Sequence, residues 1–213
     1  PHRSIISLPA LEQPEHPELI RWCQSGVGDL LAMIPAAIEA SFRENCLNLL
    51  TVQQKAAPSF SAMAWILDEF QQYDRDFLIW LAEMLHQSSL LVISRDSIRT
   101  ICGGEHLFYY TLLELYPQFR NGPATHGQIV SIGTLLIIRL FSQLSGNLIL
   151  EQKLRIVYKK LLLPVTWPEL HLLSLEYQQL AAVLKKISSQ ETILGTLTES
   201  AQTALLKSTF TVQ

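Results

Sequence analysis

The sequence predicts an all-α protein, a bundle of many helices preceded by one short strand or extended arm. From Pro17 onward, apolar residues return every three or four positions, and the breaks fall at proline, glycine and serine, which is the pattern of successive amphipathic helices. Arg3–Leu8 is the one segment with the short, β-branched character of a strand, and a single strand cannot form a sheet. We therefore expect an arm or strand over residues 1–16 and one helical domain over residues 17–213.

In the N-terminal half, the spacing predicts four helices. They cover Pro17–Gln24, Asp29–Leu50, Ser59–Tyr73 and Asp74–Ile93. The second contains Pro35, whose missing amide hydrogen and bulky ring predict a kink unless the helix begins there. The fourth is apolar on almost every side, so we expect it near the centre of the bundle.

In the C-terminal half, the helices are divided by strong breakers. The predicted helices are His106–Phe119, Gly127–Leu144, Leu148–Leu162, a short helix capped by Thr166, Glu176–Ile187 and Thr198–Thr209, with residues 188–195 as a loop. The first ends around Pro117 and an Asn-Gly-Pro turn, and the second, the most apolar, stops at a Ser-Gly-Asn signal. Pro168 follows Thr166 in the first turn of the short helix, where proline is tolerated.

Composition excludes some classes of protein. The net charge is −3, and the 16 basic residues are scattered among 19 acidic ones, so no basic patch for nucleic acid is expected. Three cysteines, Cys23, Cys46 and Cys102, form no Cys-x-x-Cys pair and fit reduced, buried thiols of a cytoplasmic protein. No apolar run approaches the roughly 18 residues of a membrane span, so we expect a soluble chain.

The histidines favour a metal site. Such a site needs ligands that converge from separate elements and leave one position for substrate. His106 and His126 each lie beside glycine at the start of a predicted helix, and Asp29 follows a Gly-Val-Gly segment that opens another. An antiparallel pair of helices would bring the first histidine near the end of the connector that holds the second. Each histidine alone also fits a helix cap or a core imidazole, and that alternative stays open.

Other chemistry has no support in the sequence. The segment Gly26–Gly28 is too short for a dinucleotide-binding fingerprint, and no strand precedes it. No Gly-x-Ser-x-Gly elbow occurs, and Cys102 has no evident base, so neither a serine nor a cysteine nucleophile is predicted.

Four segments carry motifs in a fixed order: Gly26–Ala32 (GVGDLLA), Gly103–Leu107 (GGEHL), His126–Thr134 (HGQIVSIGT) and Leu163–Leu170 (LPVTWPEL). They resemble motifs of the C-terminal helical domain of the glycerol dehydrogenase and iron-containing alcohol dehydrogenase superfamily, whose fold dehydroquinate synthase shares. The resemblance is closest to the sn-glycerol-1-phosphate dehydrogenase branch and covers about residues 3–195.

The resemblance implies a catalytic metal and a nicotinamide cofactor. Asp29, His106 and His126 match the family's three ligands for zinc or iron, which polarises a substrate hydroxyl for hydride transfer. The implied substrate is a small polyol or phosphopolyol, and a homo-oligomer is allowed. In the family, an α/β domain that binds NAD(P) precedes this region, and it has no counterpart in these 213 residues. We therefore expect a part of an NAD(P)-dependent dehydrogenase that needs the nucleotide-binding domain in cis or trans.

Three positions depart from the family pattern. Gln128 replaces an acidic residue, Tyr110 stands where the phosphopolyol branch often has a second histidine, and Pro35 is unusual in the Asp-bearing helix. These departures and the apolar composition favour an alternative, a non-catalytic structural or interaction module descended from that domain. A dehydroquinate-synthase-like lyase is disfavoured, because that branch has glutamate where Asp29 stands.

Overall fold

The chain forms a bundle of helices in the computed structural model, which describes residues 17–95, 103–187 and 192–211. Within these ranges there are eleven α-helices and no strand, which confirms the all-α prediction. They are α1 (Pro17–Leu31), α2 (Met33–Arg43), α3 (Leu49–Lys55), α4 (Ala57–Asp68), α5 (Arg75–Arg95), α6 (Gly104–Leu115), α7 (His126–Ser145), α8 (Ile149–Lys160), α9 (Trp167–Leu172), α10 (Tyr177–Ile187) and α11 (Glu199–Phe210). The strand expected at Arg3–Leu8 lies outside the described residues.

Helix α7 is the centre of the bundle. Of its 20 residues, 15 are buried, and it packs against α1, α2, α6, α8 and α11. A helix enclosed on several sides needs apolar side chains on several sides, and the run from Ile129 to Phe141 supplies them. The predicted bounds, Gly127–Leu144, differ from the observed ones by a single residue at each end.

Helix α5 is not central, and the expectation for this segment is wrong. Between residues 75 and 90 only Phe77, Leu78 and Leu81 are buried, whereas Ile79 and Leu90 are exposed. The helix packs against α1 and α4 at the edge of the bundle. Its apolar residues face solvent as well as core, so an apolar surface on all sides did not indicate a central position here.

The expected break at the Gly-Val-Gly segment does not occur. Helix α1 continues through Gly26 and Gly28, and Asp29 lies in its last turn instead of opening a new helix. Glycine disfavours a helix interior by about 1 kcal/mol, but it is kept where two helices must approach closely. The contact that Gly28 makes with α7 provides that reason.

The interruption falls instead at Ala32, one turn before Pro35. Proline has no amide hydrogen for the carbonyl oxygen of Leu31, so the helical hydrogen-bond ladder is broken at this point. The helix is therefore interrupted next to Pro35, and the predicted helix Asp29–Leu50 is divided into the end of α1, α2 and the start of α3.

Other helix ends follow the breakers more closely. Helix α6 ends at Leu115, and a 3₁₀ turn over Pro117–Asn121 follows it. Helix α9 begins at the predicted cap, where the amide of Thr166 donates to Oε2 of Glu169 at 2.8 Å. Helix α4 ends at Asp68, earlier than predicted.

The described cysteines are free thiols. Cys23 is buried, as expected, and burial raises its pKa to about 11. Cys46 is half-buried instead of buried, and Cys102 lies outside the described residues. A buried thiol with a raised pKa is chemically inert, so Cys23 acts as a small apolar core residue.

Two apolar segments pass the length and composition test for a membrane span, Pro17–Arg43 and His126–Ser145. The expectation that no apolar run approaches that length is therefore wrong by this test. In the most apolar 18-residue window of the first segment 78% of the residues are buried inside the bundle, and in that of the second segment 83% are. Burial of this kind is also found in the core helices of soluble proteins, so the test is weak support for a span.

Glycines allow α1, α6 and α7 to touch at their backbones. A Cβ atom on Gly28 would lie 2.2 Å from the carbonyl oxygen of Gly127, and one on Gly127 would lie 1.8 Å from that of Ser25. A Cβ atom on Gly133 would lie 2.8 Å from the Cα atom of Glu105. No side chain fits at these distances, so α7 meets α1 at its first turn and α6 two turns later.

Replacement of Gly28 by alanine tests this backbone contact. We expect Gly28→Ala to lower the free energy of unfolding by roughly 3 kcal/mol, because the new methyl group meets the backbone of α7, which cannot move aside cheaply. Gly26→Ala is the matched control in the same helix, since its methyl group would meet only side-chain atoms of Leu85 and Leu81, at 3.2 Å and beyond. Urea denaturation measures both, and equal effects would contradict the close approach at Gly28.

Candidate metal centre

Asp29, His106 and His126 converge from α1, α6 and α7 on one point. One ligand atom from each lies within 4.8 Å of the other two. Nε2 of His126 is 3.0 Å from Oδ1 of Asp29, and Nε2 of His106 is 3.8 Å from the same oxygen. The centres of the two imidazole rings are 5.3 Å apart. The structure thus brings together all three residues that the sequence singled out as candidate ligands.

The backbone contact between α1 and α7 explains why two of them meet. Gly28 precedes Asp29, and Gly127 follows His126, so the crossing of the two helices at these glycines sets the carboxylate beside the imidazole. The hydroxyl of Ser25 strengthens the crossing by accepting the amide hydrogen of Gly127 at 2.9 Å.

His106 reaches the same point through the contact between α6 and α7. The backbone of Glu105, the residue before it, lies against Gly133 of α7. Nδ1 of His106 is 2.9 Å from Oε1 of Glu105, and the amide of Gly103 donates to the same oxygen at 2.6 Å. Since Glu105 is fully buried, the imidazole of His106 is tied to a carboxylate that belongs to the core.

Oδ1 of Asp29 has the surroundings of a metal ligand. It is buried and makes no hydrogen bond within the described ranges, although Nε2 of His126 is only 3.0 Å away. Buried acceptors are almost always satisfied, and a cation held between the carboxylate and the two imidazoles would satisfy this one. The side chains of Asp29 and His126 are 35% and 34% exposed, so the site is open to a substrate.

Two imidazole nitrogens and one carboxylate oxygen fit zinc or iron(II). Catalytic zinc sites have three protein ligands and keep a fourth position for water or substrate, and two histidines with one carboxylate also bind non-haem iron(II). The unsatisfied oxygen of Asp29 and the open side of the cluster agree with this donor set. Neither Cys23 nor Cys46 belongs to the cluster.

Tyr109 packs against His126. The ring centres are 4.2 Å apart and the rings are nearly perpendicular, at 83°. Burial, and after it the neighbouring Tyr110 and Asp29, raise the pKa of Tyr109, so its hydroxyl stays protonated at neutral pH. Tyr110 itself is exposed, with its ring 5.3 Å from that of Tyr109.

Gln128 stabilises the crossing of α1 and α7. Its Nε2 donates to Oε1 of Gln24 on α1 at 2.7 Å, and its own Oε1 accepts the amide hydrogen of Thr125 at 2.9 Å. The second contact caps α7 and the first joins it to α1. A glutamate at this position would keep the cap but would place a carboxylate against the amide oxygen of Gln24, so the departure from the family pattern has a structural reason.

A second buried carboxyl group, that of Glu39 on α2, lies close to the carboxyl group of Glu105. The Cβ position of Gly103 is 2.9 Å from Oε2 of Glu105 and 3.1 Å from Oε2 of Glu39, so both oxygens border the same point. Burial, and next the negative charge of Glu105, raise the pKa of Glu39 to about 7. The amide of Ile193 donates to Glu39 at 3.3 Å, and Arg43 lies 3.8 Å away.

Sequence reasoning missed Glu105, Tyr109 and Glu39 as residues of this site. Glu105 had a detectable signal, because it directly precedes a candidate ligand within a recognised motif. Tyr109 follows His106 by three positions, which places both on one face of a helix. Glu39 had no such signal, since its approach to Glu105 depends on how α2 packs against α6.

The pKa of Glu39 predicts a pH dependence of stability. The folded chain keeps the proton on Glu39 up to about pH 7, whereas the ordinary pKa is 4.5, so the folded state binds more protons between these values. The contribution of Glu39 to the free energy of unfolding therefore falls as pH rises from about 4.5 to about 7, by roughly 3 kcal/mol in total. Glu39→Gln should remove this fall. Urea denaturation of both proteins at several pH values checks it, and parallel curves would contradict it.

Comparison with known proteins relates the chain to dehydrogenases. No family model matches it. It is 27% identical over 199 residues to a glycerol-1-phosphate dehydrogenase [NAD(P)+] of Staphylothermus marinus, an alignment that covers 91% of this chain and 53% of that protein. The chain thus spans about half the length of the curated relative that it matches. This similarity supports the relationship to the dehydrogenase superfamily that the motifs indicated.

Proposed function

We propose that the chain is the metal-binding helical domain of an NAD(P)-dependent dehydrogenase that acts on a polyol or on glycerol 1-phosphate. The observation that carries this proposal is the convergence of Asp29, His106 and His126 around an unsatisfied carboxylate oxygen. The similarity to a glycerol-1-phosphate dehydrogenase supports the class of reaction and substrate.

Each residue of the site has a defined task in this proposal. Asp29, His106 and His126 hold the ion, and the core contacts of α7 keep them in place when substrate enters. A zinc or iron(II) ion held by these residues would supply a Lewis acid able to polarise a substrate hydroxyl for hydride transfer to a nicotinamide. Tyr109, whose ring packs nearly perpendicular to that of His126, helps to hold this ligand in place. The exposed edges of Asp29 and His126 leave the side from which a small polar substrate enters.

The nicotinamide is bound by a nucleotide-binding domain, in the same polypeptide or in a partner. In the proposal this domain covers the exposed side of the site, and residues 17–213 form the helical domain, preceded by an arm or junction strand over residues 1–16. The proposed location is the cytoplasm, where NAD(P) and phosphopolyols are available.

A second candidate is a structural or interaction module that has kept the fold without catalysis. Large apolar side chains on the surface favour it, including Trp22 at 64% and Leu172 at 80% exposure. The two candidates differ in one property that can be measured directly, since only the dehydrogenase domain requires a bound metal ion.

Metal analysis of Asp29→Ala tests the proposed function. We expect the purified chain to hold about one equivalent of zinc or iron, and the variant to bind that metal at least 10-fold more weakly, because a charged ligand has been removed. Elemental analysis after purification without added metal, followed by titration with zinc, measures both.

Asp68→Ala is the matched control. Asp68 is an exposed carboxylate at the end of α4 and is not a member of the ligand cluster, so its removal should leave the metal content unchanged. A wild-type chain that binds neither zinc nor iron(II), even in titration, would contradict the dehydrogenase proposal and favour the non-catalytic module.

A further inference from the structure

We propose that Glu105 is a positioning residue for His106, and that it keeps the imidazole proton on Nδ1 so that the lone pair of Nε2 faces the metal. The inference rests on the proposed function for the identity of the ion. It goes beyond that function by assigning a role to a residue that is not itself a ligand and does not touch substrate.

The first step is the contact between the two side chains. Oε1 of Glu105 lies 2.9 Å from Nδ1 of His106 and also accepts the amide hydrogen of Gly103 at 2.6 Å. A carboxylate oxygen in this position accepts hydrogen bonds and has none to donate, so Nδ1 must carry the proton. In a neutral imidazole the other nitrogen then carries the lone pair. That nitrogen, Nε2, is the one on the side of Asp29, 3.8 Å from its Oδ1.

The second step is the rigidity of Glu105. Its side chain has no exposed surface, and its Cα atom would be 2.8 Å from a Cβ atom on Gly133. The backbones of α6 and α7 therefore touch at this residue, which fixes the position in the core from which the carboxylate extends. Since histidine is otherwise free to rotate about two side-chain bonds, a fixed acceptor lowers the number of orientations that His106 can adopt before an ion binds.

The third step is the difference between the two histidines. His126 is packed against the ring of Tyr109, and within the described ranges no carboxylate is hydrogen-bonded to its Nδ1. The two imidazoles are thus held by different means, one by a hydrogen bond and the other by ring packing. Loss of the Glu105 carboxylate should therefore alter the tautomer of His106 and leave that of His126 as it was.

Nitrogen-15 NMR of the histidine rings in the metal-free protein, together with zinc titration, tests the proposal. In the wild type we expect His106 to carry its proton on Nδ1. In Glu105→Leu, which removes the acceptor at Nδ1, we expect the proton on Nε2, the nitrogen 3.8 Å from Oδ1 of Asp29, and zinc affinity lowered by about 10- to 100-fold. Glu105→Gln keeps an oxygen acceptor of the same reach, so it should retain the Nδ1 proton and recover most of the affinity.

A control separates positioning from loss of stability. Glu151 on α8 is another buried carboxylate, paired with Arg155 and with Arg139 in the C-terminal half of α7, whereas His126 begins that helix. Glu151→Gln should lower stability without changing the tautomer of His106 or the zinc affinity. The wild-type spectrum needs no variant to fold, and a proton on Nε2 of His106 there would overturn the inference. Unchanged zinc affinity in folded Glu105→Leu would overturn it as well. If the wild type binds no metal at all, the proposed function fails, while the tautomers still decide whether Glu105 positions His106.

Discussion

The direct backbone contact between α1 and α7 is the constraint on which the rest of the structure depends. At Gly28 and Gly127 the two helices approach so closely that no side chain fits between them, and hydrogen bonds of Ser25 and Gln128 also join them. Because α7 is also the core of the bundle, its position relative to α1 determines how the remaining helices pack. The candidate ligands Asp29 and His126 adjoin the contact, so their separation is set by core packing.

The carboxyl groups around the site form a series from solvent to core. Asp29 is partly exposed and adjoins both imidazoles, Glu105 lies behind His106, and Glu39 lies behind Glu105. Negative charge gathered in this way favours a divalent cation at the open end. At the buried end, the same negative charge disfavours ionisation of a third carboxyl group. Burial and the charge of Glu105 both favour the neutral form of Glu39. One arrangement thus accounts for both the proposed ion site and the raised pKa.

Much of the fold follows from sequence patterns, and the exceptions have identifiable causes. The bounds of α7 and the cap at Thr166 could be predicted because they depend on local hydrogen bonds and apolar spacing. The continuity of α1 through Gly28 could not, since the reason for that glycine is a residue about a hundred positions away. The edge position of α5 was missed because apolar content does not reveal which residues a helix will meet. The three candidate ligands were found through the histidines and the family motifs, whereas the place of Glu39 depends on tertiary packing alone.

The central claim is that two imidazoles and one carboxylate from three helices hold one metal ion. X-ray absorption spectroscopy of the zinc-loaded chain tests it most directly, because the scattering distances identify the donor atoms. The account predicts nitrogen and oxygen scatterers at about 2.0–2.2 Å, with the outer-shell pattern of two imidazole rings. A sulfur scatterer at about 2.3 Å, or a shell without imidazole rings, would contradict it.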